Sequence, residues 1–281
     1  MFWQTTRFTL DLTVPKVMGI VNVTPDSFSD GGHHDSLAAA LRHCEKLLKD
    51  GADILDIGGE SSRPGAAPVP LAQELERVLP LVQQAVRFNV PVSVDTYKPE
   101  VMQAVLNAGA DIVNDIYALR TGSASQVVAA HPSCGICLMH MHGTPETMQQ
   151  AKMQGDVVPQ VLSFWEQAVA ALLEKNVNPL RIVLDPGIGF GKTVQQNFDL
   201  LKRQPELLAG AYPLLVGWSR KSSLAAAVST SLATVATLDA RDRLVPSVTA
   251  ALLAVQRGAS VVRVHDVRET VQALRVLNAI K

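Results

Sequence analysis

Apolar residues fall along this chain in short, near-continuous runs of strand length. The runs cover 17–23, 54–58, 90–95, 111–114, 135–140, 182–185, 214–217 and 260–264. They are rich in Val, Ile and Leu, and each predicts a strand buried on both faces, as in a parallel sheet. Ala- and Leu-rich stretches with helical spacing lie between them, at 36–49, 71–88, 98–108, 158–174, 197–208 and 247–256. Several helices end at a glycine where a C-cap belongs: Gly51, Gly109 and Gly258. The phrases around those glycines, Asp50-Gly-Ala-Asp, Ala108-Gly-Ala-Asp and Arg257-Gly-Ala-Ser, are near-copies. Each closes a helix and opens a strand, which is the αβ-loop half of a repeated unit. Eight parallel strands alternating with helices predict an α/β fold, a (β/α)₈ or TIM barrel, with an open doubly wound sheet as the other arrangement. No linker, low-complexity tract or change of composition divides residues 1–281, so one domain is expected.

In a barrel, chemistry collects at the C-terminal ends of the strands. Those ends carry Asn22, Asp56, Asp95, Asn114, His140, Asp185, Gly217, and Arg263 with His265. A bland origin exists, because strands must exit into solvent and Asp and Asn favour turns. It accounts for one or two polar ends. A whole ring of carboxylates, amides and cations requires partners, since unpaired buried charge is costly.

Two groups separate by type. Asp56, Asp95, Asn114 and Asp185 are acceptors and amides, suited to an amino-substituted heterocycle with several N–H donors. They would also suit a metal, although no His or Cys stands among them at ligand spacing. Arg63, Lys221, Arg263 and His265 are cationic and point to a phosphorylated or carboxylated ligand. Arg63 taken alone would be a solvated loop cation. Ser219, Ser222 or Ser223 could start a helix whose N-terminus faces an anion. The segment 185–192 is glycine-rich, but only three residues separate Gly187 from Gly191, which is not the P-loop frame. Its glycines allow backbone to approach a flat ligand, with Phe190 as a stacking face or a plain hydrophobic plug. Cys134 and Cys137 followed by His140 and His142 resemble a zinc cluster. However, Cys137 and His140 stand at odd separation in a strand and so point to opposite faces. Core cysteine is the better reading. His33 and His34 are expected to be exposed and are assigned no role.

Bulk properties narrow the ligand classes. The chain has 281 residues, 47% of them apolar, and a net charge of −1 at pH 7. No global field favours nucleic acid or an anionic membrane, so an anion site must be local. No apolar run reaches the roughly 20 residues needed to span a bilayer, and the first 15 residues lack the apolar core of a signal peptide. Three cysteines are an odd count that argues for a reduced compartment, and a cytoplasmic location is expected.

Taken together, these stretches resemble the pterin-binding family of the bacterial dihydropteroate synthases. The matching segments are 18–30, 56–65, 93–96, 113–116, 139–145, 185–190, 219–222 and 263–267, in the family's order along nearly the whole chain. The resemblance implies a (β/α)₈ barrel that joins 6-hydroxymethyl-7,8-dihydropterin pyrophosphate to p-aminobenzoate, with Mg²⁺ required. It implies a catalytic set of Asp95, Lys221, Arg263 and His265. Asp56, Asp95, Asn114, Asp185, Gly217 and Lys221 would hold the pterin, with Met139 and Phe190 packed beside it. Arg63, Arg263 and His265 would hold the pyrophosphate, and Asn22 the metal. Phe28, Ser62, Pro64 and Ser222 would surround p-aminobenzoate. Loops 24–36 and 58–70 would close over the site. The resemblance further implies a homodimer through barrel helices and a target of the sulfonamide class. A pterin-dependent methyltransferase and a non-catalytic pterin-binding paralogue are the alternatives. Three positions depart from the family pattern: Ser62 where Thr is usual, Pro246 before Ser247 where Gly is more usual, and His142 where Gln is more frequent.

Overall fold

A computed structural model describes residues 1–23, 33–61, 66–144, 147–148, 152–210, 212–229 and 239–280, without the side chains of 33–35, 240 and 241. An antiparallel hairpin opens the chain: β1 (Phe2–Gln4) and β2 (Thr9–Asp11). Eight parallel strands follow: β3 (Lys16–Asn22), β4 (Ile54–Gly58), β5 (Val92–Asp95), β6 (Ile112–Asp115), β7 (Gly135–Met139), β8 (Ile182–Asp185), β9 (Leu215–Val216) and β10 (Val261–Val264). Each of the eight expected strands is present, within two residues of its expected ends. Their order is β8-β7-β6-β5-β4-β3-β10-β9. A parallel bridge between Leu184 and Leu214 joins the two edges, so the sheet is a barrel and not an open doubly wound sheet.

The continuous apolar runs follow from this closure. Outward positions such as Val17, Val21, Leu55, Ile57, Val92 and Val94 pack under the helices, in one large core. Inward positions toward the N-terminal end are apolar: Met18, Ile54, Ile112, Cys137, Val183, Leu215 and Val261 form a separate cluster. Trp3 of the hairpin closes that cluster from below. Its side chain is fully buried, and the indole N–H donates to the carbonyl of Arg181 at 2.9 Å. The sequence pattern did not predict this hairpin, because three-residue strands carry too little periodicity.

The expected helices are α1 (His33–Lys49), α2 (Leu71–Ala85), α3 (Pro99–Asn107), α5 (Val157–Leu173), α6 (Val194–Lys202) and α9 (Leu244–Gln256). Pro246 lies in the first turn of α9, where its missing N–H is harmless. The helix expected over 197–208 differs from the structure. It starts earlier, through a capping box between Thr193 and Gln196, and it breaks at Arg203. Pro205 lies inside the expected span and begins a separate short helix, α7 (Gln204–Leu207). Short α4 (Ala124–Ala130), α8 (Ser222–Val228) and the longer α10 (Val267–Asn278) complete the set.

The three near-copied phrases make the same turn. Gly51, Gly109 and Gly258 have φ of 103°, 97° and 94°. In each case the following Ala donates back five residues, to Leu47, Val105 and Ala254, at 2.9, 3.0 and 3.0 Å. This is the Schellman ending, which needs a left-handed residue. The acidic residue after the Ala then ties down the start of a neighbouring strand. Asp53 accepts from the N–H of Val17 at 2.8 Å, and Asp111 from that of Val92 at 2.9 Å.

Candidate active site at the C-terminal mouth of the barrel

Side chains alternate along a strand, and the inward alternation turns polar toward the C-terminal ends. Asp56, Asp95, Asn114, Asp185 and Arg263 therefore face one another across the mouth. Asp95 is level with Gly58 and Asn114, and Met139 with Asp185. Arg263 joins the ring together. Its Nε donates to Asp56 Oδ2 at 2.6 Å and its Nη2 to Asp95 Oδ2 at 2.7 Å. Asn114 Nδ2 donates to both oxygens of Asp56, at 3.4 and 3.3 Å.

This pairing changes the division into two groups. Arg263 belongs with the carboxylates, because its inward position on β10 places it in their layer. Burial works against its charge, yet Asp56 and Asp95 raise its pKa above the ordinary arginine value. Burial raises the pKa of Asp95, Arg263 opposes that shift, and Asp56 adds to it. One guanidinium thus serves two carboxylates.

Asp185 ends β8 and enters the glycine-rich turn. Its Oδ1 accepts from the N–H of Gly187 at 2.6 Å, and burial pushes its pKa up to about 6. Phe190 and Met139 come together in an apolar cluster with Ile116, Met141 and Met148. The Lys221 ammonium lies over the Phe190 ring, 4.2 Å from its centre. Such a placement is favourable for a cation on an aromatic face. Lys221 is the cap residue of α8, and Ser222 is its first residue. No serine caps that helix: Ser223 is buried against Asn197 instead, at 3.0 Å from its Nδ2. Ser219 turns toward β10, where its hydroxyl lies 2.9 Å from His265 Nδ1 and accepts from the His265 N–H at 3.1 Å. Gly217 directly follows β9 and is half-buried; a methyl placed there would be 4.0 Å from Arg263 Cβ.

Other expected residues fall elsewhere. Asn22 is half-buried at the last position of β3. Phe28, Ser62, Arg63 and Pro64 lie outside the described residues. His140 follows β7 but faces away from the lumen, edge-on to Phe164 of α5 with ring centres 5.0 Å apart. Burial holds its pKa down at about 2, so the ring is neutral. Cys137 lies in the inner cluster. The two residues point to opposite faces, as their odd separation requires. Cys134 touches the Arg181 guanidinium at 3.0 Å, outside the lumen.

Two features of the mouth were not read from sequence. Arg220, between Ser219 and Lys221, adopts φ of 59° and forms a two-pronged pair with Asp266, at 2.6 and 3.2 Å. At the other side, Lys98 bridges Glu60 and the buried Glu74. Tyr97 donates to Glu60 at 2.8 Å, and Thr96 to Glu74 at 2.7 Å. Glu60, Glu74, Thr96 and Tyr97 of this network line a cavity shared with Asp95, Tyr117, Ser61 and Pro68. The Lys98 signal was available, three residues after Asp95, but nothing local identified its carboxylate partners.

Known proteins add independent information. The sequence profile of the family described as "Pterin binding enzyme" matches residues 18–265. The dihydropteroate synthase of Escherichia coli strain K12 is 45% identical over 271 residues, covering 96% of this chain and 93% of its own. The structure of Burkholderia cenocepacia dihydropteroate synthase complexed with 7,8-dihydropteroate superposes with a TM-score of 0.88 at 45% identity, covering 99% of this chain and 96% of that one. A Yersinia pestis dihydropteroate synthase structure with a sulfonamide drug superposes with a TM-score of 0.91 at 41% identity, over 100% and 99% of the two chains. With a barrel mouth built from these residues and likeness across nearly its full length, the chain belongs to the pterin-binding enzyme family, among the dihydropteroate synthases.

Proposed function

We propose that the mouth of this barrel condenses 6-hydroxymethyl-7,8-dihydropterin pyrophosphate with p-aminobenzoate. The observation that carries the reading is the mixed ring of Asp56, Asp95, Asn114, Asp185 and Arg263 beside Lys221 and Phe190. The carboxylates and the Asn114 amide match the amino and ring N–H groups of a pterin. Met139 and Phe190 offer apolar surface to its faces. Arg63, Arg263 and His265 match the pyrophosphate, and Phe28, Ser62, Pro64 and Ser222 lie in the segments that would meet p-aminobenzoate.

In the reaction, the bond between the pterin methylene carbon and the pyrophosphate oxygen breaks. The arylamine nitrogen bonds to that carbon and loses a proton, giving 7,8-dihydropteroate and pyrophosphate. An arylamine is a weak nucleophile, so departure runs ahead of attack and the methylene becomes cation-like. Asp95 stabilises that charge, and the guanidinium of Arg263 stabilises the departing anion. A guanidinium carries five N–H donors, so Arg263 can meet pyrophosphate while it still holds Asp56 and Asp95. Lys221, held over Phe190, reaches the pterin from one side. Closure of segments 24–36 and 58–70 would exclude water that would otherwise trap the cation.

A Mg²⁺ requirement fits the donor set. Asn22 supplies a single amide oxygen at a strand end, and Mg²⁺ is often bound by few protein ligands, with waters and substrate phosphates completing the shell. Bound there, the ion would neutralise leaving-group charge. Among the described residues no group of three or more His, Cys, Asp or Glu could hold a metal ion. The same reading places the chain in the cytoplasm as one domain and a homodimer, and makes it a sulfonamide target. Among the described residues no helix is long and apolar enough to cross a membrane.

The deciding experiment mixes purified protein, Mg²⁺, the pterin pyrophosphate and p-aminobenzoate, then follows dihydropteroate and pyrophosphate. Formation of both, lost when p-aminobenzoate is omitted, supports the reading. Pterin binding without turnover would favour a non-catalytic paralogue. Methyl transfer from a folate would favour the methyltransferase reading.

A further inference from the structure

We propose that Lys192 is a positioning residue for the heterocycle half of the substrate: its buried ammonium docks the glycine-rich turn after β8 onto the end of β7 and so sets Asp185 and Phe190. The proposal rests on the pterin reading above. Lys192 is 3% exposed. Its Nζ donates to the carbonyls of Gly187 at 2.8 Å, Phe190 at 3.2 Å and His140 at 3.3 Å. Three N–H groups meet three main-chain acceptors, two from the turn and one from the β7 exit. None of these bonds goes to a carboxylate, which is an unusual state for a buried cation.

The turn is shaped to allow this contact. A methyl on Gly187 would lie 1.9 Å from the His140 carbonyl oxygen, and one on Gly191 would lie 2.2 Å from that of His142. Glycine removes the obstruction, and the ammonium supplies the attraction that keeps carbonyls of two loops together. The docked turn in turn fixes the site. Gly187 N–H donates to Asp185, Phe190 N–H donates to Gly187 at 3.0 Å, and His140 N–H donates to the Asp185 carbonyl at 2.8 Å.

Charge adds a second route to the same carboxylate. Asp185 faces Lys221, Lys192 and Arg263, all of which favour its ionised form against burial, and Cys137 lies beside it. Burial lowers Lys192 to about 7, with Asp185 opposing and Lys221 reinforcing that shift. Lys192 also helps keep the His140 ring neutral. Removing the ammonium thus loosens the turn and weakens the ionisation of Asp185.

The test uses the full chain with Lys192→Met and Gly187→Ala, two independent ways of undocking the turn. The expected result is a rise of about tenfold or more in KM for the pterin pyrophosphate, with KM for p-aminobenzoate changed by less than about twofold. The double variant should be no worse than the poorer single, because both act on one contact. Calorimetry of pterin binding against pH should place the acid loss of affinity at higher pH in Lys192→Met, a change that a purely structural lysine would not cause. Wild-type KM values in both variants, or equal rises for both substrates with no pH change, would overturn the proposal. If Lys192→Met does not fold, Gly187→Ala decides the KM split. Absence of turnover in the wild type would instead count against the synthase reading, and the calorimetric arm would still decide the role of Lys192.

Discussion

Arg263 reaches two carboxylates from one guanidinium, Nε to Asp56 and Nη2 to Asp95. A lysine presents one compact ammonium and cannot make this fork. Arg263→Lys should therefore lower kcat/KM for the pterin pyrophosphate by more than about tenfold. Arg263→Ala should in addition destabilise the fold by about 3–5 kcal/mol, because the fully buried Asp56 loses its cation. Denaturant unfolding of the two variants separates these effects, and equal stability of Arg263→Ala and wild type would contradict them. Asp185 sets a pH limit of its own. Burial pushes its pKa up to about 6, and only the carboxylate accepts N–H groups on both oxygens. Pterin affinity should fall as pH drops through about 6, and Asp185→Asn should flatten that part of the profile. These residues were legible as strand ends, since turn-forming Asp and Asn interrupt runs of Val and Ile. Their pairing was not, because charge type alone separates Arg263 from the carboxylates that it binds.

At the scale of elements, the exits of β9 and β10 are tied by two adjacent links. Ser219 meets His265, and Arg220 meets Asp266, the residue that precedes α10. Arg220 holds φ of 59°, uncommon for a residue with a side chain. Its backbone N–H donates to Ser247 at 2.9 Å, and its carbonyl accepts from Arg243 at 2.8 Å, so α9 and the turn before it brace the same residue. Arg220→Gly relieves the left-handed backbone but deletes the ion pair. It should keep the melting temperature within a few degrees and still raise KM for the pyrophosphate substrate, because Lys221 and His265 lose their common brace. An unchanged KM would show that the Ser219–His265 link suffices. Helix ends were the most legible feature of this scale, because a glycine closing a helix and an Asp opening a strand are local chemistry. Gly109→Ala should cost about 1–2 kcal/mol, because it forces a side chain onto a left-handed backbone, with no change in kcat. The break at Pro205 was missed despite a local signal, because apolar spacing on both sides of it continued the helical pattern.

Across the whole molecule, stability and chemistry occupy opposite ends of the barrel. Trp3 seals the lower cluster, far along each strand from the polar mouth. Trp3→Ala should cost about 3–5 kcal/mol of stability while leaving KM for both substrates near wild type at temperatures where the protein stays folded. A change in KM without loss of stability would mean that the hairpin communicates with the mouth. At the mouth, a sulfonamide should compete with p-aminobenzoate and not with the pterin pyrophosphate, and steady-state inhibition patterns check this. The chain by itself determined the alternation of buried strands and helices, the glycine endings, and which residue types stand at each strand end. All of these follow from hydrophobic period and backbone preference over a few residues. Only the tertiary structure decided that Arg263 joins Asp56 and Asp95, which are 207 and 168 positions away, and that Trp3 lies against the carbonyl of Arg181, 178 positions on. It also decided that His140 turns outward and that Lys192 holds two loops by their carbonyls. Such contacts depend on which strands become neighbours when the sheet closes, and hydrophobic period is the same for every order in which eight buried strands could be arranged.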